Sequence, residues 1–202
     1  MKNIKAFIIS IVAVGALLFA VGWGVNGVVI CGVHEERIDA GAWVPNTTNG
    51  PIADTLESAT NKVMQDVYWF DPSTVQYAGF PWSPPSNWNC GPVKVSLEVY
   101  STCGVESPFV YEIRAQAQRD GSTWDSAFGE TVQITDTNTG AGKKSRSGYS
   151  GALTVGGSPA AGDDIYFQVY RNASTAGDTL GESTAACSIR VKWQESPVAI
   201  TF

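Results

Sequence analysis

Residues 93–99 read VKVSLEV, with an apolar side chain at every second position and a lysine, a serine or a glutamate between them. Successive side chains of a β-strand point to opposite faces, so this stretch predicts a strand with one buried and one solvated face. The same period of two recurs at residues 111–118, 165–170 and 188–193. Weaker strands are predicted at residues 66–70, 75–80, 131–135, 151–155 and 198–202.

Turn residues separate these strands, for example Gly-Gly-Ser-Pro at residues 156–159, and no helix is predicted between them. Many short strands joined by turns predict an all-β fold, an antiparallel β-sandwich whose most economical form is a single jelly roll. We assign residues 66–202 to this domain.

A stalk or linker is predicted at residues 34–65, which contain many turn residues. A short helix is predicted at residues 54–67. Its start resembles a capping box formed by Asp54 and Glu57. Its apolar side chains fall on one helical face: Leu56, Ala59, Val63 and Val67.

The N-terminal segment contains an uncharged, apolar run from Ala6 to Val33, preceded by Lys2 and Lys5. A bilayer core about 30 Å thick needs ~20 such residues as helix, so residues 1–33 predict a transmembrane anchor with the remaining chain on the opposite side of the membrane. A cleaved signal peptide, cut near Gly22 or Gly24, is the alternative. The residues predicted to contact lipid are Ala6, Phe7, Ile8, Leu17, Leu18, Phe19 and Trp23.

Charge and residue types argue against enzymatic chemistry. The chain has 19 acidic and 13 basic residues, a balance that argues against a nucleic-acid partner. Its one histidine, His34, excludes a multi-histidine metal site, and it lies at the predicted membrane edge, far in sequence from any candidate nucleophile. The carboxylate pairs Asp120/Asp125 and Asp163/Asp164 could serve a glycosidase or hold calcium, but capping of backbone N–H groups is the favoured interpretation. We therefore predict no enzyme, no cofactor and no metal.

Aromatic side chains are concentrated between residues 68 and 88. An exposed Trp or Tyr platform can stack on the apolar face of a sugar, whereas the same residues can also close one end of a sandwich or meet a neighbouring subunit. We rank core or subunit contact above sugar binding. The candidate contact residues are Tyr77, Trp82, Trp88 and the C-terminal Phe202.

The four cysteines allow one bridge in the outer domain. Cys31 belongs to the apolar run, and Cys90 and Cys103 flank a strand too long for them to pair easily. Cys187 starts the strand at 188–193, in phase with Ile189, and lies near Cys103 if that strand runs antiparallel to 93–99. We predict either Cys103–Cys187 or no bridge in a reducing compartment.

Several stretches between residues 66 and 195 resemble a family of small β-rich bacteriophage and prophage proteins that are virion structural components. The resembling pieces are Phe70–Thr74, Phe80–Trp88, Asp120–Gly129, Thr154–Asp163, Ile165–Arg171 and Asp178–Leu180. The chain departs from the family in its added anchor and at residues 185–191.

The resemblance implies a membrane-anchored capsid, vertex or spike subunit of a membrane-containing phage. Its location would then be the internal viral membrane, entered through residues 6–33, and its partners would be other virion proteins or copies of itself. One alternative is a carbohydrate-binding module that is either membrane-anchored or secreted. It would then lie at the cell surface or be held in the cell membrane by a single transmembrane span. A subunit of an extracellular filament is a second alternative. The apolar residues 198–202 are expected to pack against another element across a subunit boundary.

Overall fold

The computed structural model describes residues 27–201. Within that range the chain forms thirteen β-strands and one short 3₁₀ helix, at Ala40–Ala42. The strands are β1 (Gly27–Ile30), β2 (Val33–Asp39), β3 (Val44–Pro45), β4 (Ile52–Glu57), β5 (Met64–Phe70), β6 (Tyr77–Trp82), β7 (Lys94–Ser101), β8 (Pro108–Gln118), β9 (Val132–Thr137), β10 (Lys144–Arg146), β11 (Asp164–Arg171), β12 (Thr184–Gln194) and β13 (Val198–Thr201).

Two antiparallel sheets face each other. One has the order β10-β7-β12-β5-β4, with β2 paired to β12 beyond the end of β5, and the other has the order β3-β6-β11-β8-β9. From β5 to β8 each strand lies in the opposite sheet from the strand before it, and the same alternation runs from β9 to β12. Between β5 and β12, only β8 and β9 follow one another within a single sheet. This strand order is that of a jelly roll, so the predicted antiparallel β-sandwich is confirmed.

The core between the sheets consists of the apolar positions that the period of two selects. Val93, Val95, Leu97 and Val99 are all buried. Stacked aromatic rings fill the middle, with the Phe80 and Phe167 centroids 5.1 Å apart. Burial of such side chains contributes about 1.5–3 kcal/mol each, which makes this layer the main source of stability.

The predicted helix at residues 54–67 is wrong, because these residues form most of the β4–β5 hairpin. Residues 58–63 make the turn, where Ser58 accepts the Lys62 N–H through its carbonyl and donates its own N–H to Val63. Pairing with β5 satisfies the β4 backbone and outweighs a weak helical pattern, whose member Val63 is left exposed. Residues predicted as a stalk thus contribute β2, β3 and β4 to the sandwich sheets.

The predicted anchor lies mostly outside the described residues, and so do its seven named positions, Ala6, Phe7, Ile8, Leu17, Leu18, Phe19 and Trp23. The described end of the apolar run forms strand, because β1 pairs with β13 and Val33 begins β2. Within residues 27–201 no helix is long and apolar enough to span a membrane.

The apolar C-terminal strand β13 pairs antiparallel with β1 of the same chain, from Ile30–Val198 to Gly27–Thr201. Its backbone partner is therefore intramolecular, which corrects the expectation of pairing across a subunit boundary. Phe202 lies outside the described residues.

Candidate functional site: the outer face of the five-stranded sheet

Alternate residues of β8 and β11 point away from the core on the outer side of the sheet, where the tyrosines and Arg114 are half-buried and Gln116 and Gln168 are buried. On β11 Phe167 and Val169 are fully buried, so Tyr166, Gln168 and Tyr170 face outward. Antiparallel register places each beside an outward residue of β8, pairing Tyr170 with Glu112, Gln168 with Arg114 and Tyr166 with Gln116. On the other side of β11, Tyr170 pairs with Tyr77 and Gln168 with Gly79. We call this surface the tyrosine face, comprising Tyr77, Glu112, Arg114, Gln116, Tyr166, Gln168 and Tyr170.

The polar side chains of the tyrosine face are held in position by hydrogen bonds, mostly to one another. The Arg114 guanidinium donates to Gln168 Oε1 from Nε at 2.9 Å and from Nη2 at 2.6 Å. Glu112 accepts from the Tyr170 hydroxyl at 2.5 Å and from Asn172 Nδ2 at 2.6 Å. These side chains are fixed before any ligand arrives, which lowers the entropic cost of binding one.

Aromatic rings lie along the same surface. The Tyr77 and Tyr170 centroids are 5.0 Å apart, and Phe128, from the β8–β9 connection, lies 6.4 Å from Tyr166. The Arg114 guanidinium lies 4.5 Å from the centre of the Phe128 ring, within cation–π range. Burial, and then the hydrogen bond to Glu112, raise the pKa of Tyr170 to about 12, so its hydroxyl stays protonated at neutral pH.

A glycine permits the central tyrosine to lie flat. A Cβ built on Gly79 would come within 2.0 Å of Tyr166 Oη and 2.9 Å of the Phe167 carbonyl oxygen. Any larger residue at position 79 therefore pushes the Tyr166 ring out of its place on the sheet. Gly79 is a close-approach position for this ring.

The face ends in a cleft of about 270 Å³ beyond the Asp164–Gln118 register pair. Trp124 lies in its wall and is 83% exposed, the largest exposed fraction among the exposed large apolar side chains of the described chain. Asp164 accepts a 2.6 Å hydrogen bond from the Ser83 hydroxyl. The cleft is lined by Gln118, Arg119, Asp120, Ser122, Trp124, Gly162 and Asp164.

The Arg119 guanidinium is fixed by hydrogen bonds, because its Nη2 donates to Asp163 Oδ2 at 2.8 Å and to the Ser158 carbonyl at 2.8 Å. Asp163 also accepts the Ala160 N–H, so this carboxylate serves as a turn cap. Among residues 27–201 no group of three or more histidine, cysteine or acidic side chains is placed to hold a metal ion.

The sequence-selected aromatic residues have different locations. Tyr77 is half-buried on the tyrosine face. Trp82 and Trp88 are each 3% exposed and pack on one another in the core, with centroids 5.6 Å apart. Trp82 also donates from Nε1 to Glu36 at 2.8 Å. Neither tryptophan is accessible to a sugar in this conformation.

Sequence reasoning did not select Trp124, Tyr166, Tyr170 or Arg114. A signal was present, since Tyr166 and Tyr170 occupy the solvated positions of the strand at 165–170, where small or charged residues are usual. Aromatic residues on the polar side of an amphipathic strand indicate a contact surface. The Trp124 position, in a loop of small polar residues, carries the same signal.

Of the two predicted alternatives, the Cys103–Cys187 bridge is not formed, since Cys31, Cys90, Cys103 and Cys187 are all free. The strand containing Cys187 does run antiparallel to β7, with Thr184 opposite Ser101. A β-bulge between Ala186 and Ser188 shifts the side-chain phase by one residue, however, so that Cys187 packs outside the sheet with Val67 while Cys103 packs against the main core. The pair therefore lies on different sides of the sheet.

No family model matches the sequence, and no curated protein matches it. Among solved structures, the chain is similar to the C-terminal family 6 carbohydrate-binding module of LamC, a marine laminarinase from Zobellia galactanivorans, with a TM-score of 0.43 at 14% identity, over 78% of this chain and 98% of that one.

Two further structures are similar to the chain. A family 36 module of a xylanase from the hindgut metagenome of Trinervitermes trinervoides has a TM-score of 0.40 at 8% identity, over 78% and 96% of the two chains. A family 11 module from Clostridium thermocellum, in complex with a β-1,3-1,4-mixed-linked tetrasaccharide, has a TM-score of 0.36 at 12% identity, over 84% and 90%. At these values none of the ligands in those structures transfers to this chain.

The virion assignment is wrong on these comparisons. The similar structures are carbohydrate-binding modules, and neither a family model nor a curated protein links the chain to phage capsid, vertex or spike proteins. The resembling stretches of sequence are strands and turns, which many sandwich proteins share, and this explains the error.

Proposed function

We propose that this protein is a carbohydrate-binding β-sandwich module whose ligand lies along the tyrosine face and reaches the Trp124 cleft. The observation that carries the proposal is the row of aromatic rings interleaved with fixed hydrogen-bonding groups on one sheet surface. Tyr77, Tyr170 and Tyr166 offer ring faces or edges, and Arg114 and Gln168 lie between them. The exposed Trp124 extends this surface at the end of the two strands.

The chemistry of this surface suits a neutral sugar chain. A pyranose ring has an apolar C–H face that stacks on an aromatic ring, and hydroxyls at its edge that need both donors and acceptors. Arg114 and the tyrosine hydroxyls, which are half-buried, supply both kinds of group, and Gln168 holds the Arg114 guanidinium in place. Gln116 Oε1 is a buried acceptor without a hydrogen-bond donor among the described residues, and it lies beside Tyr166.

The first test removes the exposed ring. Trp124→Ala should weaken binding to the recognised polysaccharide by about 5–30-fold, equivalent to about 1–2 kcal/mol of lost stacking. The measurement is affinity electrophoresis in gels containing mixed-linkage β-glucan, xylan, mannan or galactan, followed by calorimetry with the oligosaccharide that retards the protein. Met64→Ala, which removes an exposed apolar side chain from the other sheet, is the control and should bind as the unmodified chain does.

Two results would count against the proposal. One is the absence of retardation by any of the polysaccharides. The other is retardation that Trp124→Ala and Tyr166→Ala leave unchanged, because binding would then use another surface.

Gly79→Ala tests whether the flat position of Tyr166 matters. The added methyl group displaces the Tyr166 ring, itself part of the proposed site, and also comes close to the Phe167 carbonyl oxygen, so affinity should fall several-fold. Near-ultraviolet circular dichroism should register the changed tyrosine environment, and far-ultraviolet spectra should remain those of the parent. Unchanged affinity together with a displaced ring would remove Tyr166 from the proposed site.

The location we propose is a cell surface or the extracellular medium, where polysaccharides are encountered. The uncharged run at residues 6–33 is compatible with an export signal, which supports this location.

A further inference from the structure

The opposite sheet presents a second surface of different chemistry. Its outward cations come from β2, β7, β10 and β12, and we call this surface the basic face: Arg37, Lys94, Lys144, Arg146, Arg190 and Lys192. The outward carboxylates of the same strands are fewer: Glu35, Glu98 and Asp39. A local excess of positive charge is notable on a chain whose net charge is −6.

Four of the cations are gathered around one buried carboxylate. Glu98 is fully buried and lies 2.5 Å from Lys144 Nζ, 2.6 Å from Arg146 Nη2 and 3.3 Å from Arg190 Nε. Arg37 Nε is 3.5 Å away. Asp39 also pairs with Arg37 and Glu35 with Arg190, so three carboxylates face these four cations, and Arg146 keeps 54% of its side chain exposed. The guanidinium groups are thus held in place while part of their charge faces solvent.

Two lysines on the same surface have no ion-pair partner among residues 27–201. Lys94 and Lys192 are directly opposite each other in the β7–β12 register, an arrangement of like charges that destabilises a sheet. Lys192 is also opposite Glu35 in the β12–β2 register, but Glu35 bonds to Arg190 and Tyr149, so neither lysine has a carboxylate of its own. A like-charge pair that costs stability is consistent with an anionic ligand.

An aromatic ring lies beside these lysines. Lys192 Nζ is 5.0 Å from the centre of the Tyr149 ring, and Tyr149 is 37% exposed. Its hydroxyl donates to Glu35, which fixes the ring across the sheet. Such a ring can stack on a sugar while the cations beside it pair with a carboxylate of the same sugar.

We propose that the basic face binds a carboxylate-bearing, uronic-acid polysaccharide, with Tyr149 stacking on a sugar ring and Lys94 and Lys192 pairing with its carboxylates. This site is independent of the tyrosine face and does not require that face to bind a ligand. The positive charge of the basic face favours an anionic ligand. The accessible Tyr149 ring favours a glycan over a polyanion that has no sugar ring to stack on it.

The test uses the full chain and polygalacturonate as the probe. The unmodified protein should bind at about 20 mM salt and much more weakly at about 300 mM, because the Debye length shortens severalfold between them. Lys94→Gln/Lys192→Gln should weaken binding about tenfold, equivalent to about 1.4 kcal/mol. The thermal midpoint of this variant should stay level or rise, since a like-charge pair is removed. Lys62→Gln, which removes one exposed charge from the β4–β5 turn, is the control and should bind normally.

Further variants separate the two binding surfaces and the role of charge. Lys94→Arg/Lys192→Arg should keep affinity, and Tyr149→Ala should lower it. Trp124→Ala should leave polygalacturonate binding intact, so loss of neutral-glycan binding and loss of acidic-glycan binding are distinguishable. The proposal is overturned if polygalacturonate does not bind at low salt, if the double Gln variant binds like the parent, or if duplex DNA and anionic vesicles bind equally well.

Discussion

Arg171→Met should lower the free energy of unfolding by about 3–5 kcal/mol, the cost of leaving a buried charge without its partner. Arg171 is fully buried and holds Asp178 in a two-pronged ion pair, with Nε at 2.8 Å from Oδ2 and Nη2 at 2.7 Å from Oδ1. It also donates from Nη1 to the Glu182 carbonyl at 2.6 Å. Removal of the guanidinium strands the Asp178 carboxylate, whose Oδ2 otherwise also accepts the Val110 N–H.

Urea denaturation at neutral pH is the measurement, with Lys62→Met as the matched control. Lys62 pairs with Glu57 at 2.8 Å, but both side chains are well exposed, so this change should cost only about 0–1 kcal/mol. Adding Asp178→Asn to Arg171→Met should recover part of the loss, because the neutral amide keeps an acceptor for Val110 and removes the stranded charge. A loss below about 1 kcal/mol for Arg171→Met would refute the assigned role.

The same ion pair supports the tyrosine face. It fixes the loop that follows β11, and Asn172, the first residue of that loop, donates to Glu112 at the end of the face. Arg171 variants that remain folded should therefore also bind the ligand less well. Arg171 would thus act on binding indirectly, by fixing the position of residues of the tyrosine face without touching the ligand.

The strands could be predicted from the sequence because burial on one face imposes a period of two, as at residues 93–99. The β4–β5 hairpin could not, since Leu56 and Val63 also satisfy a helical pattern and pairing between distant residues decided the outcome. The bulge at residues 186–188 was equally hidden, because a one-residue shift in side-chain phase leaves no mark on the composition.

Prediction of the sites was limited for a related reason. Abundant aromatic residues drew attention to Trp82 and Trp88, which the fold buries, while the aromatic residues at the solvated positions 166 and 170 of a predicted strand were passed over. The pairing of Lys94 with Lys192 depends on the β7–β12 register, which only the folded chain defines. Residue type alone does not tell which face a side chain occupies until the register is known.

Glu98 should make the stability of the protein fall steeply in acid. Burial raises the pKa of this carboxyl, but hydrogen bonds from Lys144 and Ser188 and the nearby positive charges outweigh burial and lower its pKa from 4.5 to about 2. A carboxyl with a lowered folded-state pKa contributes stability above its unfolded pKa and loses it as pH falls toward the folded value. The contribution should be about 3 kcal/mol at neutral pH, lost between about pH 5 and pH 2.

Glu98→Gln removes this titration and leaves the four surrounding cations without their common partner. The variant should be less stable than the parent at pH 7 by about 3 kcal/mol, and the difference should nearly vanish at about pH 2, where the parent carboxyl is itself becoming protonated. Urea denaturation of both proteins across this pH range measures the effect. Asp71, whose pKa is also lowered by its own loop, titrates in both proteins and cancels in the difference. Glu35 shares Arg190 with Glu98, so the Glu98→Gln change also alters its titration.

Asp39→Asn is the matched control, because Asp39 contacts Arg37 on the same surface but is half exposed. Its loss should change stability by no more than about 1 kcal/mol at any pH. If Glu98→Gln and its parent lost stability in parallel from pH 7 to pH 2, Glu98 could not be the centre of the cation cluster. A difference that closes in acid would instead show that one buried carboxylate holds four cations in place, and that the exposed charge of the basic face depends on it.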